Sequence, residues 1–135
     1  MTGAAPHWLP LRFRDLDAFG HVYHAEYLTL LDEARSHWFA DALGFDDPQG
    51  YVVAHLEIDY VSSLRGDDDA VRVDHVLERV GTTSLTLRET TYARDGRVAA
   101  RSRTVTVLRD PATGRPRPVT DDERRRAEDH LTPRS

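Results

Sequence analysis

The sequence predicts an α+β fold in which one long helix packs on one face of a curved antiparallel sheet of about five strands. Two changes of hydrophobic period carry that expectation. Between about Ala25 and Leu43 the apolar residues return at helical spacing, and from Tyr51 to Arg109 they alternate in four runs separated by turn residues. Size and composition supply the third observation. A chain of 135 residues, 39% hydrophobic and 30% charged, suits one globular unit with one core. The expectation is a single domain over 1–135, with its core at about 8–110 and a tail at 121–135 that is a short helix or disordered.

Taken in order, Trp8 to Arg14 alternates partly and reads as a first strand, with Pro10 marking a sheet edge. A polar loop follows. In the next segment Tyr27, Leu31, Ala34 and Trp38 define a helical stripe that Leu28, Leu30, Phe39 and Ala42 widen. Gly44 is a natural C-terminal stop. The cluster Asp46-Asp47-Pro48-Gln49-Gly50 is a turn. Strands are then expected at about Tyr51–Ser63, Ala70–Val80, Ser84–Arg94 and Arg97–Arg109. Asp95-Gly96 is the signal of a tight hairpin between the last two. A helix this apolar needs a broad sheet around it.

The bulk numbers exclude several function classes. The net charge of −5 and dispersed arginines argue against a nucleic-acid partner. The absence of cysteine excludes disulfides, thiolate catalysis and cysteine-ligated zinc, and is consistent with a cytoplasmic location. No apolar run approaches the ~20 residues of a membrane span, and the first six residues do not read as a signal peptide.

Chemistry is concentrated in Asp15-Leu16-Asp17-Ala18-Phe19-Gly20-His21-Val22-Tyr23-His24-Ala25-Glu26-Tyr27. Three carboxylates, two imidazoles, a glycine and two phenols sit before and at the start of a long helix, where the helix dipole and free amides favour negative charge. Asp15 reads as structural or loop-orienting. His21 reads as a loop support rather than an acid–base group. Asp32, Glu33 and Arg35 read as a charged helix face or as contacts between copies.

The pattern Asp15-x-Asp17-x-x-Gly20-His21-Val22-x-His24-x-x-Tyr27, with Asp32-Glu33-Ala34-Arg35, Ile58-Asp59-Tyr60 and Gly66-Asp67, resembles the hot-dog-fold acyl-CoA thioesterases, in particular the branch named for 4-hydroxybenzoyl-CoA thioesterase. Many relatives carry Asn where this chain has His24, which bears on substrate choice. The resemblance implies a sheet wrapped around the helix and pairing of two chains into a homodimer, or a homotetramer, with sites at the interface. It also implies that Asp17 is the catalytic carboxylate and that hydrolysis needs no metal and no organic cofactor.

The residues fit that chemistry. An ionised Asp17 attacks a thioester directly or activates water. Free amides around Tyr23 to Ala25 polarise the carbonyl. Gly20 lets the loop turn sharply. His24 either contacts substrate or serves through its backbone amide, and Tyr27 is core or substrate-facing. Arg79, Thr82, Thr83 and Ser84, at a strand–turn junction, suit the phosphates of coenzyme A. The expected reaction is acyl-CoA hydrolysis to a carboxylic acid and coenzyme A. Release of an acyl chain from an acyl carrier protein, or non-catalytic acyl-CoA binding, are the alternatives.

Overall fold

A computed structural model describes residues 7–45, 47 and 49–131. The helix α1 runs over Glu26–Leu43, and the strands are β1 (Trp8–Pro10), β2 (Tyr51–Tyr60), β3 (Ala70–Val80), β4 (Ser84–Ala93) and β5 (Val98–Leu108). A second helix, α2, spans Asp121–Glu128. The strands form one five-stranded antiparallel sheet in the order β1-β3-β4-β5-β2. The connection from β2 to β3 carries the chain past β5 and β4, and β1 then flanks β3. This leaves β2 and β1 as the two edges. This is the expected hot-dog architecture.

The predicted elements recur with two corrections. β1 stops at Pro10 instead of continuing to Arg14, because Asp15 accepts the Arg12 amide at 2.8 Å and draws the chain into a single 3₁₀ turn at Phe13–Asp15. The Tyr51–Ser63 strand ends at Tyr60 and carries a bulge between Val53 and His55. Gly44 closes α1 as expected. Its φ of 66° lets its amide reach back to the Ala40 carbonyl at 3.1 Å. The tail forms α2 over Asp121–Glu128, where Thr120 and Glu123 make a reciprocal capping box. Residues 132–135, and residues 46 and 48 of the predicted turn, lie outside the described set.

The core has two apolar halves. One gathers Tyr27, Leu30, Ala34, Val71, Ala93 and Ala99, and the other Phe39, Leu43, Leu77, Leu85, Leu87 and Leu108. Between them lies a buried polar layer. Arg35 and Glu89 are both 0% exposed, joined by Arg35 Nε to Glu89 Oε2 at 3.1 Å and Arg35 Nη2 to Oε1 at 3.2 Å. Thr104 and Ser102 hydroxyls donate to Glu89 Oε1 at 2.8 and 3.1 Å. Asp32 accepts from Arg35 Nη1 at 2.7 Å. His75 Nε2 comes within 3.2 Å of Glu89 Oε2 without forming a hydrogen bond. The expectation of Arg35 on a solvated helix face is therefore overturned. Position 35 sits one turn from Leu31 and Phe39, so it points into the sheet, and Glu89 is there to meet it.

Candidate active site

The segment between β1 and α1 folds back on itself. Leu16 and Val22 pair as a two-residue antiparallel bridge, and His21 pairs with Arg65. Asp17 sits in the neck of this small hairpin. Its amide donates to the His21 carbonyl at 2.7 Å, and its own carbonyl accepts from Gly20 at 3.1 Å. Gly20 has a φ of 78° with no atom within 4 Å of a Cβ built there, so backbone conformation rather than crowding explains its presence.

The Asp17 side chain is held by backbone. Oδ1 accepts the Phe19 amide at 2.8 Å and the His21 amide at 3.1 Å, whereas Oδ2 accepts no hydrogen bond from the described residues. Those two amides, Phe19 first, hold its pKa below the ordinary 3.8. The sequence reading located the effect at the helix N-terminus. The structure assigns it to the loop's own amides, because α1 begins nine residues further on. Asp15 is structural as expected. It is buried, its Oδ2 takes the Arg12 amide, and its carbonyl takes the Tyr23 amide at 2.9 Å.

That last bond corrects the expected donor set. Tyr23 N–H is already used, and Glu26 N–H donates to the Tyr23 carbonyl at 2.9 Å. His24 and Ala25 keep amides with no acceptor among the described residues. Ala25 supplies no side-chain cap, so the helix start stays open to a bound group.

A cavity of about 370 Å³ is bordered by Asp17, His21, Tyr23, His24 and Tyr27, together with Tyr60, Ser62 and Ser63. Four of the expected site residues, Asp17, Tyr23, His24 and Tyr27, thus come to one place, and Gly20 shapes the loop beside them. Tyr27 is almost wholly buried, with its ring edge-on to Tyr60 at 5.0 Å. Burial raises its pKa, so the phenol stays a neutral O–H group. Tyr60, Ser62 and Ser63 had no site role in the sequence reading. Their only signal was position, at the end of the strand carrying Ile58-Asp59-Tyr60.

Arg79, Thr82, Thr83 and Ser84 are not brought to this cavity within one chain. Arg79 lies near the end of β3, Thr82 and Thr83 in the β3–β4 turn and Ser84 at the start of β4, and the ten residues of β4 put about 30 Å, at ~3.4 Å per residue, between that turn and the cavity end of the sheet. Among the described residues no three His, Asp or Glu side chains gather closely enough to hold a metal ion. No helix among them is long and apolar enough to cross a membrane.

A five-stranded antiparallel sheet cupped around one long helix is the hot-dog fold, and here Asp17 and the start of that helix border one cavity. The comparisons agree. The thioesterase-like superfamily profile matches residues 11–126, and the chain belongs to that superfamily. A thioesterase from Thermus thermophilus, solved in complex with coenzyme A and zinc, is 31% identical with a TM-score of 0.78, over 90% of this chain and 89% of that one. A structure from Bacillus stearothermophilus, described as a predicted thioesterase, is 27% identical with a TM-score of 0.82, over 96% and 98% of the two chains. A thioesterase-superfamily structure from a Jannaschia species has a TM-score of 0.86 at 19% identity over 97% and 95%, a likeness of fold alone. No curated protein sequence matches this chain.

Proposed function

We propose that this protein is an acyl-CoA thioesterase. One observation carries the reading. Asp17, kept ionised by the Phe19 and His21 amides and with Oδ2 free, borders the same cavity as His24 at an uncapped helix start. Asp17 removes a proton from water, and the water oxygen bonds to the thioester carbon. The carbonyl π pair moves onto oxygen, where the His24 and Ala25 amides receive it. A single such donor is worth about 3–4 kcal/mol. Re-forming the C=O bond breaks the C–S bond, and coenzyme A leaves with the proton returned by Asp17. In the nucleophilic variant an Asp17 oxygen bonds to the thioester carbon and the C–S bond breaks to release the coenzyme A thiolate; water then cleaves the mixed anhydride to the carboxylic acid and ionised Asp17, its second proton going to the thiolate.

The coenzyme A handle is supported by the 31% identical relative solved with that molecule. A homodimer supports it further. β2 is a ten-residue edge strand with Val52, Val53 and Tyr60 exposed, whereas the other edge is three residues long and contains Pro10. Two-fold antiparallel pairing of β2 with a second copy would set the start of one β2 beside the end of the other. Ser84 lies next to Val107, and Val107 next to Val52, so the β3–β4 turn is at the start-of-β2 end. The cavity is at the Tyr60 end. Pairing therefore carries Arg79, Thr82, Thr83 and Ser84 of one copy to the cavity end of the other.

The test is thiol release from short, long and aromatic acyl-CoAs, with one acyl group also offered on a carrier protein. Asp17→Asn is nearly isosteric and should lose about 100-fold or more. Equal rates for the variant and the wild type would remove Asp17 from the mechanism.

A further inference from the structure

Tyr60 stands on the inner face of β2, where its register partner is Ala100, and it is 47% exposed because β2 is an edge. Its ring meets Tyr27 edge-on, and its hydroxyl donates to the His24 carbonyl at 3.0 Å. Among the described residues that carbonyl otherwise receives only the Tyr27 amide, at a long 3.3 Å. The His24 carbonyl and the Ala25 N–H are the two ends of one planar trans peptide. Fixing the oxygen end fixes the direction of the N–H end, which points off the start of α1 as helical amides do. Donation to the carbonyl also polarises the amide and makes its N–H a stronger donor.

We infer that Tyr60 is a positioning residue for the thioester oxyanion. By clamping the His24–Ala25 peptide from the neighbouring strand, it aims the Ala25 amide at the carbonyl oxygen of the substrate. This inference rests on the proposed hydrolase reading. It explains how α1 holds a defined donor without a capping side chain. Ala25 cannot cap, and a Ser or Asp there would compete with substrate for the same amides. The strand supplies the missing restraint from the carbonyl side and leaves the N–H ends free.

The experiment is Tyr60→Phe, which keeps the ring and its packing on Tyr27 and removes only the hydroxyl. Wild type, Tyr60→Phe and Asp17→Asn are assayed together on the best acyl-CoA substrate, with thermal melting of each. A misaimed donor should lower kcat by about 10-fold. KM should stay within twofold, and so should the dissociation constant for a non-hydrolysable acyl-CoA analogue. The acid limb of the kcat–pH profile, set by Asp17, should not move. Unchanged kcat in Tyr60→Phe, or a loss carried wholly by KM, overturns the inference while the Asp17 result keeps the hydrolase reading. A general loss of folding, seen as a large drop in melting temperature with kcat and KM both worsened, assigns Tyr60 a structural role and also overturns it. No thiol release by wild type removes the hydrolase reading, and this inference with it.

Discussion

Glu89→Gln is expected to destabilise the protein by about 3–5 kcal/mol at pH 7, the cost of leaving a buried charge uncompensated. Arg35 is 0% exposed and would keep Asp32, 68% exposed, as its one charged partner among the described residues, with the Thr104 hydroxyl and the neutral Gln carbonyl as its other acceptors. The same magnitude follows from titration. Burial alone would raise the Glu89 pKa, but His75 and Arg35 more than reverse this and lower it from 4.5 to about 2. Arg35 makes two direct hydrogen bonds to the carboxylate, and His75 Nε2 lies 3.2 Å from Oε2. At 1.36 kcal/mol per pH unit, that depression corresponds to about 3 kcal/mol. The folded pKa lies below the unfolded one. The contribution is therefore complete above pH 4.5 and fades as pH falls towards about 2. Urea unfolding of wild type and Glu89→Gln across that window should show a gap in stability that narrows towards pH 2. Replacing both partners, as Arg35→Met with Glu89→Met, should cost much less than Glu89→Gln alone. A Glu89→Gln penalty under 1 kcal/mol, or a gap independent of pH, would refute the reasoning.

The Asp17 pKa lies below 3.8, so its charged form persists as pH falls. With brief exposure to each pH, the acid limb of kcat/KM should appear only below that value, and a limb centred at pH 5 or above would exclude Asp17 as the titrating group. Val52→Lys with Val53→Lys places like charges along the free β2 edge. Light scattering should find a dimer for wild type and a monomer for the pair, whereas a monomeric wild type would refute pairing through β2.

Much of the fold was legible because it depends on short-range pattern. α1, β3, β4 and β5 lie within a residue or two of where period and turn residues put them, since Gly44 and Asp95-Gly96 act locally. The Asp17 loop was legible for the same reason, as a run of adjacent residues. Arg35 was misread because charge normally marks a solvated face, and its partner Glu89 is 54 residues away. Hydropathy does not separate the two faces of β5 either. Its valines and threonines alternate, and in the structure Thr104 and Thr106 point inward while Val105 and Val107 do not. Thr104 faces inward, where its hydroxyl joins the ionic layer. Hydropathy of a single strand carries no record of that layer.

By itself the sequence determined the order of elements, the single long helix, and the carboxylate loop that precedes it. Each is set by contacts within about a dozen residues. Tertiary structure decided which amides remain free, since Tyr23 N–H is consumed by Asp15 in the folded hairpin. It decided that Tyr60, 36 residues beyond His24, reaches the helix start. It also decided that Arg79, Thr82, Thr83 and Ser84 lie at the opposite end of the sheet from Asp17. These outcomes depend on which strand lies beside which, and antiparallel pairing across the sheet sets that order only when the whole chain has folded.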